Sequence, residues 1–459
     1  MNVLSYSKKL SAFAIIALAA ISALTPSCTS TSARNNEVPA VQSSSTFQIP
    51  ELLMRQGELS KTEEWTKTLS VVSAVKEKLQ RDPNDFDTYI KLSEIFVNEA
   101  RITGEHGHYY PAVLNILTHV LGQKVSETVR FKALSLKASV LLSQHHFEDA
   151  RQTAEMAVKL NPAHAQTYGA LVDANVELGN YTEAVLMGQT MMDKRPDLMS
   201  YSRASYLREI HGDPQGAIEA MKMAVESGYA GYENMAWTRT TLGNIYETYG
   251  DLMAAEKEYQ TALVERPDYP FALAALASVE LKKGNKEEAE KLLNEAVAII
   301  PEFSFYVDLA AIYQETGRTE LAKKTTDEIL AMMADDEAKG HDMSLEYAKI
   351  YLNLVNDYDK ALQYAMLEHN ARPANIDVNK VLAEIYFKKG NMAEANKHLS
   401  AAMATGSKNP ELLLIAGLIK MKNADKKEGE QLVKKSKEAN PYLNNQFSKD
   451  AEAAMASTK

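Results

Sequence analysis

The sequence predicts an all-α fold, a solenoid of stacked helical hairpins, and three observations carry that expectation. A segment with a small residue at one fixed place recurs nine times at a spacing close to 34 residues; prolines follow that residue at a constant distance; and within each unit the apolar residues fall at helical spacing. The small residues are Ala150, Ala184, Ala217, Ala255, Ala289, Ala322, Ala361, Ala395 and Gly429, separated by 34, 33, 38, 34, 33, 39, 34 and 34. Two helices of a hairpin cross at such a residue, and only a small side chain lets their axes approach. One hairpin cannot bury its apolar stripe alone, so the units must stack. Pro162, Pro196, Pro267, Pro301, Pro373 and Pro441 each stand 12 residues after a small residue, where a side chain without an N–H donor ends the helix.

Composition bounds the function. The chain has 459 residues, 45% of them apolar and 24% charged, with a net charge of −11. Such an acidic balance argues against nucleic acid as a partner, which needs a basic face to displace counterions. One cysteine excludes an intramolecular disulfide and the zinc sites built on two or more thiolates. No GxSxG, Walker A, GxGxxG or HExxH pattern occurs, so the expectation is a protein that is not an enzyme and carries no cofactor and no metal.

The elements follow in chain order. Residues 1–27 hold Lys8 and Lys9, an apolar run from Leu10 to Leu24, and Ser27 immediately before Cys28, the layout of an export signal. A 15-residue run reaches about 22 Å as a helix, short of the roughly 30 Å hydrocarbon core, so a permanent span is the weaker reading. Cys28 at the cut site resembles the lipobox of bacterial lipoproteins, and that resemblance implies a lipidated, palmitate-bearing N-terminal Cys28. A cleaved secretory signal with Cys28 unmodified is the alternative. Residues 28–46 are Ser/Thr-rich and aperiodic, as a flexible tether is, and lack an acidic run after Cys28. The expected address is the cell envelope, on the outer membrane and facing the periplasm.

Residues 47–130 read as an irregular helical segment with a helix over 66–80 closed by Pro83, and with Ala112 as one degenerate anchor. Residues 131–443 hold the nine clear units, with insertions around 228–235 and 337–341 at which adjoining blocks can hinge. Residues 444–459 put Phe447, Ala451, Ala454 and Met455 on one face of a capping helix and tail.

The unit over 236–269 carries Leu242, Gly243 and Tyr246, then Ala255, Tyr259, Ala262 and Pro267, with Arg239 where a tryptophan is usual. This resembles the tetratricopeptide repeat. The resemblance implies a right-handed superhelix whose first helices line a concave groove, and by register it places Met199, Ser202, Tyr206, Trp237, Thr240, Asn244, Phe271 and Ser278 in that groove. Met199, Tyr206, Trp237, Asn244 and Phe271 are the expected partner-binding residues, with packing of Trp237 and Phe271 onto adjacent helices as the alternative. The Lys/Asn clamp that some relatives use for a C-terminal carboxylate is missing: the matching positions hold Ser135, Ser139, Ala170 and Met199, and only Arg203 is in place.

Two histidine pairs, His106/His108 and His145/His146, read as a surface loop and a hairpin turn. The expected function is a non-catalytic, membrane-tethered scaffold or adaptor for other cell-envelope proteins or peptides. A periplasmic holdase chaperone or a small-ligand carrier is the alternative, and the sequence leaves the oligomeric state open.

Overall fold

The computed structural model describes residues 47–423, 425–443 and 445–456; the expected signal, the tether with Cys28, and residues 424, 444 and 457–459 lie outside the described residues. After an extended stretch and a short turn, Gly57–Lys61, α1 (Glu63–Arg81) begins where the Thr62 hydroxyl accepts the Trp65 N–H at 3.1 Å. Helical hairpins follow in sequence. They are α2 (Phe86–Thr103) with α3 (His106–Leu121), α4 (Glu127–Ser143) with α5 (Phe147–Leu160), α6 (Ala165–Glu177) with α7 (Tyr181–Lys194), and α8 (Leu198–Ile210) with α9 (Pro214–Glu226). Next come α10 (Glu233–Thr248) with α11 (Leu252–Glu265), α12 (Pro270–Lys283) with α13 (Lys286–Ile299), and α14 (Phe303–Glu315) with α15 (Thr319–Ala338). The last are α16 (Ser344–Ile350) with α17 (Tyr358–Ala371), α18 (Ile376–Lys388) with α19 (Met392–Ala402), and α20 (Pro410–Lys422) with α21 (Lys426–Ala439), before a closing helix, α22 (Gln446–Ala456). The architecture is the expected all-α solenoid.

From α5 to α21 the small residue is always the fourth of the second helix, and every one is buried. At the best-fitting unit the crossing is tight enough that a Cβ on Gly243 would lie 2.3 Å from the Tyr259 ring, with Ala255 and Tyr259 fully buried beside it. Arg239 is held by Glu265 (2.9 and 2.7 Å) and Glu258 (3.1 Å), so ion pairs to α11 take the place of the tryptophan packing usual in this repeat. In the first hairpin the expected anchor is displaced. Ala112 is half-buried, and the fourth residue of α3 is Tyr109, fully buried.

Tyr109 is accommodated because residues 47–56 lie along this hairpin as an extended strap. Leu53 N–H donates to the Tyr109 hydroxyl at 3.1 Å, His108 Nε2 donates to Glu51 O at 2.9 Å, and Phe47 stacks on His119 at 4.3 Å. Arg55 ends the strap with a buried two-pronged pair to Glu99 at 2.8 and 2.7 Å. At the far end, Ala451 of α22 is buried and Phe447, Ala454 and Met455 pack partly against α20, the face the sequence marks out.

The solenoid coils back on itself. The turn inside each of the first five hairpins meets the loop that precedes the hairpin, or helix, six places further on. Gly104 faces Ile300; Gln144 O accepts from Asp342 N–H at 3.1 Å and His146 Nε2 donates to Gly340 O at 2.9 Å. Asn375 Nδ2 donates to Glu177 O at 2.8 Å, and Ile376 N–H to the Tyr181 hydroxyl at 2.8 Å. Gly212 faces Gly406, and Asn440 Nδ2 donates to Glu247 O and Thr248 O at 3.1 and 3.0 Å.

Neither insertion is a free loop in this closed coil, contrary to the hinge expectation, and different contacts hold the two. The loop after α15 is pinned to the α4–α5 turn by Gly340 and Asp342. The loop before α10 is held by Arg266, which donates to Gly231 O at 3.2 Å, and by an ion pair between Arg101 and Glu233.

Candidate functional site

The inner wall of the coil is made by the first helices of the hairpins. In several places consecutive first helices pack side by side, α2 on α4, α4 on α6 and α6 on α8, whereas the second helices make no comparably extensive contact with one another, so the layer curves toward the first helices.

The middle of that wall is filled. Tyr206 and Trp237 are only 7% and 8% exposed and belong to one apolar cluster with Val172, Val176 and Tyr269. Phe271 is half-buried, 5.4 Å from Phe305 and 5.6 Å from Tyr269, ring to ring. Asn244 is half-buried and accepts from the Tyr259 hydroxyl at 2.8 Å; Met199 is half-buried between two clusters, and its carbonyl accepts from Arg203 at 3.1 Å. Ser202 and Thr240 turn their hydroxyls back onto Leu198 O and Ala236 O, while Ser278 donates to Glu247 at 2.6 Å. The structure therefore brings Tyr206, Trp237 and Phe271 into one cluster, as packing residues.

One stretch of the wall is open. A cavity of about 250 Å³ lies between α2, α4 and α6, walled by Phe131, Leu136 and Leu142 and carrying Ser135, Ser139 and Gln166. The reason is legible position by position. Eighteen residues before the small anchor, α10 and α12 hold Trp237 and Phe271, but α4 and α6 hold Lys132 and Gln166; eleven before it, α8 holds Tyr206 and α4 holds Ser139. The signal that marks this site is thus confined to single positions: Lys132 and Gln166 where α10 and α12 place Trp237 and Phe271, and Ser139 where α8 places Tyr206.

Four of the charged residues in the cavity lining are already engaged, while Glu94 also borders it. Lys132 pairs with Asp87 at 2.6 Å, Arg101 with Glu233, and Arg203 with Asp173 through Nε at 2.9 Å. Burial pushes the Asp173 carboxyl up, with Arg203 opposing it. Arg203, the one clamp-like residue in the sequence, is therefore spent inside the wall. The groups left to a ligand are the Glu94 carboxylate and hydroxyl and amide groups between apolar walls, which fit the main chain of an extended polypeptide.

The histidine pairs sit elsewhere. His106 stacks on Tyr110 at 5.1 Å and lies 6.3 Å from His341, ring to ring, and burial holds His106 at about 4. Among the described residues no group of three or more His, Cys, Asp or Glu is arranged to hold a metal ion, and no helix is long and apolar enough to cross a membrane.

Comparison with known proteins agrees with the hairpin geometry. Residues 136–197 and 240–302 match the tetratricopeptide repeat family, and these stretches run from within α4 through α7 and from within α10 through α13. Among solved structures, a thermophilic tetratricopeptide protein of Thermus thermophilus is similar at 22% identity over 41% of this chain and all of its own, with a TM-score of 0.36. YrrB, described as a tetratricopeptide protein with an unusual peptide-binding site, is similar at 20% identity over 41% of this chain and 94% of its own, TM-score 0.28. PilW, described as a widely conserved type IV pilus biogenesis factor, is similar at 14% identity over 44% and 92%, TM-score 0.37. No curated protein matches the chain.

Proposed function

We propose that the protein is a non-catalytic scaffold that holds an extended segment of a partner protein in the concave cavity between α2, α4 and α6. We further propose that a lipidated Cys28 tethers it to the outer membrane facing the periplasm, so that its partners are cell-envelope proteins. The observation that carries the first reading is the contrast along the inner wall: aromatic side chains fill it at α8, α10 and α12, and a cavity lined by Ser135, Ser139 and Gln166 remains at α4 and α6. The second reading is supported by the signal layout and by the place of the one cysteine.

Filling the cavity tests the groove. Ser139→Trp is expected to abolish capture of the one or two stoichiometric partners that the wild type retrieves from detergent-solubilised membranes, with circular dichroism unchanged. A filled variant that retains its partners would overturn the assignment. Cys28→Ser tests the tether: the variant is expected to leave the membrane fraction, and its persistence there with an unshifted mass would refute lipidation.

A further inference from the structure

Two kinds of contact hold this coil together. Neighbouring hairpins are joined by apolar clusters that pass from one to the next. The return contact six hairpins on has five rungs: three carry hydrogen bonds between loop backbone and side chains 192 to 198 residues apart, with an ion pair at the third, and two are close approaches of Gly104 to Ile300 and Gly212 to Gly406. Its apolar part is confined to a few side chains: Ile102 packs with Ile300, Ile376 joins the cluster of Val172 and Val176, and the His341 ring lies against His106 and Tyr110.

We propose that this return contact is a latch, along which the coil parts into an open spiral while every hairpin stays folded. Parting exposes groups that water satisfies. The carbonyls of Glu177, Glu247 and Thr248 and the amides of Asn375 and Asn440 exchange protein partners for water at little net cost. At the third rung Arg372 is buried against Glu177 and Glu368, and hydration regained on opening offsets the attraction lost. A contact of that composition separates far more readily than the alanine-lined crossings within each hairpin.

The hairpin turns supply a second argument and the means of testing it. Gly179, Gly212, Gly250, Gly284, Gly317 and Gly390 all hold positive φ in these turns. Along the return contact an added Cβ would meet the opposing loop, at 2.6 Å from Ala374 for Gly179, 2.3 Å from Gly406 O for Gly212 and 3.0 Å from Ala439 O for Gly250. At Gly284, Gly317 and Gly390 nothing lies within 4 Å. Alanine at either set carries the same backbone strain, but only the first set wedges the latch.

The experiment measures a distance across the fourth rung. Spin labels go on Gln215→Cys and Lys408→Cys in a Cys28→Ser background, which has no other thiol. Gly212→Ala combined with Arg372→Met is expected to lengthen the interlabel distance by about 10 Å or more, one helix diameter, with helicity unchanged. Gly317→Ala, matched in φ (+73° against +75°), is expected to leave the distance as in wild type. An unchanged distance in the wedged variant would overturn the latch. So would a lengthened distance that appears only with loss of helicity, since the contact would then belong to the cooperative fold. Neither readout needs a groove partner.

Discussion

Arg372 and Glu177, 195 residues apart, form a buried ion pair, and the same guanidinium holds Glu368 through Nε and lies 4.8 Å over the Phe147 ring. One cation thus serves two carboxylates where the coil meets itself. Burial pushes Glu177 up to about 7, with Asp377 and Glu368 adding to the shift and Arg372 opposing it.

That shift makes a signed prediction. Since the folded carboxyl binds its proton more tightly than the unfolded one, the Glu177 contribution is fully present below about pH 4.5 and is lost as the pH rises through about 7. Glu177→Gln, which cannot ionise, should therefore gain stability relative to wild type across that window, by on the order of 2 kcal/mol. Urea unfolding at pH 5 and pH 8 measures the difference, and a gap that shrinks toward pH 8 contradicts the assignment.

Ala255, fully buried at the α10–α11 crossing, has no room for a larger side chain. Ala255→Leu should cost about 1–3 kcal/mol by overpacking, while Ala112→Leu, at a half-buried position on α3, should cost less. Equal chemical-denaturation midpoints for the two would mean that the fourth position of the second helix is not special.

Trp237 belongs to the packed wall, so Trp237→Ala should lower stability by about 3–5 kcal/mol, and Phe271→Ala, half-buried, by less. The test is the order of the two effects in thermal unfolding. Should Trp237→Ala keep the wild-type melting point and lose partner capture instead, the aromatic cluster is the binding surface after all.

Arg55→Met leaves Glu99 buried without its counter-ion, which typically costs about 3–5 kcal/mol. The loss should be local. Hydrogen exchange is expected to quicken in α2 and α3 and to stay unchanged in α18 to α21; uniform acceleration would mean that the strap stabilises the whole coil.

Whatever repeats locally is legible in the sequence, and whatever depends on distant return is not. Nine small residues predict nine crossings because the constraint at Ala255 is set within one hairpin, by Gly243 and Tyr259. Ala112 misleads because Tyr109 is accommodated by Leu53, from a segment that no repeat pattern includes. Register alone points to a groove at Tyr206, Trp237 and Phe271, and register cannot say which inner positions the curvature of the coil will fill. The cavity at Ser135 and Ser139 leaves a faint trace in the sequence, Ser139 and Gln166 where Tyr206, Trp237 and Phe271 stand in other units, but its meaning depends on how closely the first helices approach. The insertions read as hinges because extra length in a loop usually means freedom; here Gly340 and Asp342 use that length to reach the α4–α5 turn.

The strap also fixes how the fold would take a pull on its N-terminal side. Its attachments come one after another along the chain, first the Phe47 ring on His119, then Glu51 on His108, then Leu53 on Tyr109, and last Arg55 on Glu99. Tension entering at Phe47 therefore loads them in series, so that they peel singly and the strongest, a fully buried ion pair, is reached last. Such an arrangement is a graded fuse: small forces are absorbed by a few residues of slack, and α1 and the hairpins behind it feel the load only after Arg55 has let go.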